Sequence, residues 1–305
     1  MGSHQQGRLP LSTGGLTRHA GVHHRAPVRA SEHNGNRGDC DTEGVEGRYW
    51  FDNSLDDERI RLQLLESIAD PRSIRLLEGL NVKEGWRCAE LGAGGGSMAR
   101  WLAGKVGDDG SVVAVDRDVT PLRHLDDDPT IETVECLIED LDITPGSFDL
   151  IHTRNVLMHI DAAEADAIIG SLVDALRPGG ALLVEEADYF PVAGMTSSAL
   201  AEVASVLVAP WTWARTIPNT LARLPVVDLA ATVDASMLQG RSAEAAFWTH
   251  TFRSVEGRLT DPTTAAAHGV LPVPKATFEE AMRQLADETF WTPFSAVVCA
   301  SCRKP

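Results

Sequence analysis

The stretch Cys88-Ala89-Glu90-Leu91-Gly92-Ala93-Gly94-Gly95-Gly96-Ser97-Met98-Ala99-Arg100-Trp101-Leu102 decides the fold. Before it, Trp86 to Leu91 is a short, mostly apolar run, the length of one buried strand. After it, Met98, Trp101, Leu102 and Val106 recur at helical spacing, and Ser97 stands where an N-cap would open the helix. The glycines therefore make a tight strand-to-helix turn. Glycine accepts positive φ at little cost, and without a side chain it lets a ligand approach the backbone. The N–H groups at the helix start favour a negative group above the turn.

Two ligand classes use such a turn, and a purely structural βα turn is the alternative to both. A dinucleotide fingerprint wants Gly-x-Gly-x-x-Gly. Here the third position is Ser97, and the extra glycine comes one residue early, at Gly96. Glu90 lies two positions before Gly92. A carboxylate there suits a ligand carrying an ammonium group and has little use beside a pyrophosphate. The acid-x-Gly-x-Gly-x-Gly pattern resembles motif I of the Rossmann-like methyltransferases that use S-adenosylmethionine (SAM). That resemblance implies cofactor contacts from Glu90, Gly92, Ala93, Gly94 and Gly96, with S-adenosylhomocysteine (SAH) as the product form.

Further along, Ser111 to Val115 reads as a second strand closed by Asp116. An acidic residue about 20 positions past the glycine turn, at the end of the next strand, is placed to accept both ribose hydroxyls. Arg117 beside it joins the expected cofactor set. A third strand is expected around Glu132 to Ile138. The family's adenine-binding aspartate would fall near Leu137, so Glu139 or Asp140 is expected to substitute. Pro145-Gly146-Ser147-Phe148-Asp149-Leu150-Ile151-His152-Thr153-Arg154 leads into a fourth strand, Phe148 to His152, and resembles the family's Gly-Ser-Phe-Asp-Leu-Val segment. Thr153, at its end, is a further cofactor expectation. A helix from Ala162 to Leu176 should stop at Arg177-Pro178-Gly179-Gly180, similar to the family's Leu-Arg-Pro-Gly-Gly turn. A fifth strand, Ala181 to Glu185, follows.

The resemblance runs from about Tyr49 to the C-terminus and is densest from Gly85 to Glu186. It is most like the actinobacterial small-molecule methyltransferases, through Ala246-Phe247-Trp248-Thr249 and Phe290-Trp291. It implies an α/β fold: a doubly wound, mostly parallel seven-stranded sheet whose last strand, Ser295 to Ser301, is reversed. Two helices, Leu55 to Ile68 and one opened by Asp70-Pro71 and ending near Leu80, precede the sheet. Tyr49 and Trp50 either cover the cofactor or anchor the first helix. The apolar segment Met195 to Arg223 reads as a helical insertion over the strand ends, with Trp211 and Trp213. It is read as a substrate cap over about 189–223, or else a packing or dimer helix.

Candidates for chemistry lie near the ends of strands four and five. His159 titrates in the range of a general base, or else pins its helix. Glu185 and Glu186 face opposite ways on a strand, so at most one enters the site. Arg154 could hold an anionic substrate or pair structurally. Tyr49, Trp211, Trp248 and His250 complete the expected substrate contacts. A Mg²⁺ site for a diphosphate substrate is a minority alternative.

The chain has 305 residues and a net charge of -17. That acidity argues against a nucleic-acid partner, which would need clustered Lys and Arg. No apolar run is long enough to span a membrane. The odd, unpatterned set Cys40, Cys88, Cys136, Cys299 and Cys302 suits a reducing cytoplasm. Cys299 and Cys302 should face opposite sides of their strand, which disfavours joint metal ligation. Residues 1–44 read as a disordered tail ahead of a domain over 45–305. The expected function is methyl transfer from SAM to an O, N or C atom of a small, partly apolar metabolite of secondary metabolism. A SAM fold used for another reaction, or a non-catalytic partner subunit, is the alternative. A homodimer is among the expected partners.

Overall fold

The computed structural model describes residues 29–30, 56–208 and 212–305. Tyr49, Trp50, Trp211 and Cys40 lie outside these. So does the expected tail, apart from Arg29–Ala30, which pair antiparallel with Leu141–Asp142.

Seven strands form one sheet: β1 Arg87–Leu91, β2 Ser111–Asp116, β3 Ile131–Glu135, β4 Phe148–Arg154, β5 Leu176–Asp188, β6 Val227–Gln239 and β7 Trp291–Arg303. Their order is β3-β2-β1-β4-β5-β7-β6. The first five pair in parallel, and β7 runs antiparallel to both β5 and β6. The doubly wound sheet with a reversed last strand is thus the one expected. The long strands β5 and β7 run beyond the boundaries read from sequence, and β3 stops short at Glu135. In β5 the hydrogen-bonded strand includes Arg177–Gly180, because Lys304 and Gly180 pair across the two strand ends.

Alternation along β1 and β4 sends side chains to two different cores. Cys88, Leu150 and Leu183 pack beneath helix α1 (Asp56–Gly79) and helix α2 (Ser97–Val106). Ala89, Leu91, Ile151 and Val184 pack against α3 (Ala162–Ala175) and α5 (Ile217–Leu221). A third cluster gathers α4 (Ser198–Val208), α6 (Ala243–Ser254) and α9 (Lys275–Leu285) around Trp248 and Phe294. Two short helices, α7 (Glu256–Thr260) and α8 (Pro262–Ala267), link α6 to α9.

Two helix starts differ from the sequence expectation. Residues 56–79 form one helix through Pro71, not two. Pro71 withholds the N–H that would meet the Ser67 carbonyl. The helix continues because ties on both sides of the proline hold it to the sheet: Asp70 and Ser73 accept from Arg154, and Arg72 donates to Glu185. Asp70 is therefore an ion-pair partner inside the helix, not an N-cap. At α2 the N-cap position belongs to Gly96, at φ 85°, and Ser97 is the first helical residue. Ser97 instead donates its hydroxyl to Asp70 and its backbone N–H to Glu66, which fastens α2 to α1.

Candidate functional site

In an open α/β sheet ligands sit outside the carboxyl ends of the strands, where the strand order reverses. Here the chain goes from β1 outward to β2 and β3, then crosses back to β4 on the other side. A cavity of about 580 Å³ opens at that crevice. Its floor is Leu91 to Gly95, and α1 closes one side with Leu62, Leu65 and Glu66.

The glycine turn is held from below and from the side. Gly92 and Ala93 donate to the Val115 carbonyl at 2.8 and 3.0 Å. Gly94, at φ 54°, donates to Asp116 Oδ2 at 2.8 Å. Asp116 also accepts from the Asp118 N–H at 3.2 Å. Burial raises its carboxyl above the usual range, while these N–H groups pull the other way. Asp116 lines the cavity with Arg117. Past β3, Cys136, Leu137 and Ile138 form an apolar wall ending in Glu139 and Asp140. The expected residues Gly92, Ala93, Gly94, Asp116, Arg117, Glu139 and Asp140 are thus brought together around one space.

Three expected cofactor residues do not line it. Gly96 faces the turn below, where a Cβ would come 2.6 Å from Leu125 Cδ1, so its bareness serves packing. Thr153 is fully buried on the α3 side of β4, and its hydroxyl has no hydrogen-bond partner among the described residues. Glu90 points beneath the sheet's α1 face and accepts from His152 Nδ1 at 2.6 Å. The strand's alternation puts it there, so it cannot meet an ammonium group directly.

That contact belongs to a buried relay. His152 Nε2 lies 3.1 Å from Glu185 Oε1, and Arg72 donates to Glu185 Oε2 at 2.9 Å. Burial by itself would lower the imidazole, but the Glu90 charge and both hydrogen bonds raise it to about 9, so it is an imidazolium. Burial would raise Glu185, yet its bond to His152 and the charges of His152 and Arg72 hold it at about 2. The relay docks α1 on the sheet. Glu186 faces the other way and accepts the backbone N–H groups of Val156, Leu157 and Met158 at 3.0–3.1 Å. Burial raises it to about 7. Neither glutamate lines the cavity, so neither stands where a catalytic carboxylate was expected.

His159 does line the cavity. Burial, and then the charges of Arg61 and Arg117, lower its pKa to about 4. It is neutral at pH 7 and a weaker base than a free histidine. Arg154 reaches the cavity edge, but its guanidinium is engaged with Ser73 and Asp70 at 2.9 Å. Trp248 lines the far end with Tyr189 and Phe247. Its ring lies 5.6 Å from Tyr189 and 4.6 Å from Phe294. His250, two residues on, is roughly 200° around the helix. It faces a separate surface depression with Thr249 and Arg253. Of the cap expected over about 189–223, only Tyr189 lines the cavity among the described residues; α4 packs instead in the cluster with α9.

Sequence reading missed Arg61, Glu66, Asn155 and Met158, all of which line the cavity. Nothing in the periodicity of α1 says which flank of its apolar stripe overhangs the sheet. Asn155 gives one retrospective signal: it holds φ 57° at a strand end, a conformation asparagine tolerates better than most residues. Among the described residues, no three or more His, Cys, Asp or Glu side chains gather where they could hold a metal ion. Cys299 touches Glu185 on one face of β7 while Cys302 lies in the opposite core.

This chain is similar to several solved structures. One is phosphoethanolamine N-methyltransferase 2 of Haemonchus contortus, at 18% identity and a TM-score of 0.48, over 77% of this chain and 53% of that one. Another is geranyl diphosphate C-methyltransferase from Streptomyces coelicolor A3(2), at 12% identity and a TM-score of 0.45, over 77% of this chain and 76% of that one. Among curated proteins, the methyltransferase str3 of the fungus Strobilurus tenacellus is 34% identical over 100 residues, which are 33% of this chain. The match spans only about a third of that relative, 35% of its length. Residues 89–180, from inside β1 to the turn in β5, match the sequence model of a family described as a methyltransferase domain.

Proposed function

We propose that this chain, over residues 45–305, is a SAM-dependent methyltransferase acting on an O, N or C atom of a small, partly apolar metabolite. The observation that carries this reading is the position of Asp116. It is a half-buried carboxylate at the end of β2, tied to the Gly94 N–H and open to the switch-point cavity. A carboxylate so placed suits two vicinal hydroxyls. The Cys136–Ile138 wall, with Glu139 and Asp140 at its end, suits a flat amino-purine. Glu66, held against the glycine turn, offers a carboxylate for an ammonium group. The residues present therefore fit the cofactor. When bound, SAM supplies an activated methyl group on a cationic sulfur.

What the chain itself does is hold the partners close and keep water out. Asp116, Glu66 and the glycine turn orient one partner. Tyr189, Phe247 and Trp248 offer an apolar seat for the other. His159, being neutral, can accept or donate a hydrogen bond at the acceptor but takes a proton only weakly. Glu186 holds the segment that carries Val156, Met158 and His159. Natural-product metabolism, of the kind served by actinobacterial small-molecule methyltransferases, and a cytoplasmic location belong to this reading. So does a homodimer, supported by the apolar edge of β6.

Calorimetric titration with SAM and SAH tests it. Tight binding in the wild type should weaken by roughly 1.5–3 kcal/mol in Asp116→Ala, the order of a hydrogen bond to a charged group. Asp116→Asn, which keeps an acceptor for Gly94, should fall between. No binding of either ligand by the wild type would end the reading.

A further inference from the structure

Asn155 is the first residue past β4, and it leaves the strand in the left-handed region, at φ 57°. Glycine takes that conformation at less cost, so the side chain must contribute something that its absence would not. The Asn155 backbone N–H donates to the Glu185 carbonyl at 2.9 Å. Its side-chain Oδ1 accepts from the Ala187 N–H at 3.2 Å, so the amide is anchored on β5. A backbone N–H can only donate. The amide orientation is therefore settled, with oxygen toward Ala187 and nitrogen away from it.

Nδ2 carries two N–H donors, and among the described residues nothing accepts them. The carboxylates nearest in the chain are committed elsewhere. Glu185 takes His152 and Arg72. Glu186 takes three backbone N–H groups. Asp188 takes the Phe190 N–H and the Arg215 guanidinium. Arg61, His159 and Tyr189, which also line the cavity, have interactions of their own. Asn155 lines the same cavity, next in the chain to Val156, which abuts Gly92. A half-buried donor without a partner gains when a ligand oxygen completes it. Met158, Phe247 and Trp248 make this end of the wall largely apolar. One oriented polar group in an apolar wall fixes how an apolar ligand lies.

We infer that Asn155 determines specificity at this end of the cavity: its Nδ2 donates to a carbonyl oxygen on an otherwise apolar methyl acceptor. Calling that molecule the methyl acceptor rests on the methyltransferase reading; its binding does not. The groups proposed for the cofactor, Asp116, Glu139 and Asp140, stand past the ends of β2 and β3, whereas this amide is tied to β5. A side chain that only closed the strand end could equally be aspartate, which tolerates positive φ and accepts from Ala187. Only asparagine adds the donor.

The test uses 4-phenylbut-3-en-2-one as the carbonyl probe and 1-phenylbut-1-ene as its hydrocarbon counterpart. Both are titrated into the full chain, with and without saturating SAH, and read by tryptophan fluorescence. Asn155→Asp keeps the acceptor for Ala187, and Asn155→Gly relieves the backbone. Each should weaken the ketone by about five-fold or more while the hydrocarbon stays within about two-fold. SAH affinity in the same samples should stay within about three-fold. The wild type gives a second reading that needs no variant to fold well. In a chain labelled with ¹⁵N-asparagine, the side-chain amide pair missing from Asn155→Gly should shift with the ketone and hold still with the hydrocarbon. An amide pair that does not move with the ketone, including for want of binding, would overturn the inference. So would a ketone affinity that survives Asn155→Asp. An amide that moves only with SAH, with SAH affinity lost in both variants, would also overturn it and give Asn155 to the cofactor. A wild type that binds no SAH would strike the methyltransferase reading instead, and the two probes without SAH would still decide this one.

Discussion

Val156 stands where a side chain on Gly92 would have to be: a Cβ built at Gly92 runs into its Cγ2. The two residues come from different strand ends, β1 and β4, on either side of the switch point. Gly92 also holds φ 71°, a conformation that costs any residue with a Cβ. Gly92→Ala should therefore push Val156 away and reshape the cavity floor. We expect SAH affinity to fall by about ten-fold or more, since strained φ and a displaced neighbour together cost about 1–3 kcal/mol. Pairing it with Val156→Ala should recover part of that loss. Calorimetry of the single and double variants measures this. Unchanged affinity in Gly92→Ala would show that the turn has slack.

The relay under α1 gives the stability a direction in pH. His152 has its pKa raised from 6.5 to about 9, so its contribution is complete below about 6.5 and is lost as pH rises through about 9. Glu185 has its pKa lowered from 4.5 to about 2, so its contribution is complete above about 4.5 and is lost as pH falls towards 2. The wild-type Tm should therefore decline between pH 7 and 10. His152→Gln should have a lower Tm at pH 6 and a shallower alkaline decline. Thermal melts across that range check both features. An alkaline slope equal to wild type would place the titrating group elsewhere.

Glu186 shows how a residue can matter without entering the site. It gathers three consecutive backbone N–H groups that would otherwise be left without a partner in the turn after β4. Glu186→Gln keeps the size but sets an amide donor against one of those N–H groups. We expect the turn to loosen and kcat/KM to fall by about ten-fold to a hundred-fold, the scale of one or two charged hydrogen bonds. The loss should appear in both SAM binding and acceptor binding, because Val156 and His159 ride on the same turn. A variant that alters only the pH profile, with affinities intact, would mean that Glu186 acts in the chemistry directly.

The sheet and most of the glycine-turn half of the cavity were legible because they depend on local patterns. A strand, three glycines, a helix and an acid about one βα unit later fix one another's positions along the chain. Asp116 and Gly94 could be read in this way, and the structure joins them by a hydrogen bond. The half of the cavity lined by Phe247 and Trp248 depends on which helix folds back over the strand ends, and sequence periodicity does not encode that. Arg61 and Glu66 look like ordinary solvated helix charges until α1 is laid across the crevice. Conversely, Glu90, Glu185 and Glu186 read as site carboxylates because acids near strand ends usually are. Strand alternation sends Glu90 and Glu185 to the α1 face and Glu186 to the other, and buried partners rather than ligands satisfy all three. Pro71 misled for a related reason: a local break signal yielded to tertiary ion pairs on both sides of it.

The free edge of the sheet makes the last prediction. Among the described residues no strand pairs with the outer edge of β6. One face of that strand reads Leu229, Ala231, Val233, Ala235, Met237, with Val233 56% and Met237 50% exposed. A long apolar edge is a template for pairing unless something covers it. The sequence suits a second copy. Two antiparallel β6 strands centred on Val233 would place Leu229 opposite Met237 and Ala231 opposite Ala235. In that register Asp234 meets Thr232, so no like charges face each other there. Light scattering at tens of micromolar should therefore give twice the monomer mass for the wild type and the monomer mass for Val233→Lys. SAH affinity should be unchanged in the variant, because β6 lends no residue to the cavity. A wild-type monomer, or a dimer that survives the lysine, would assign the edge another role.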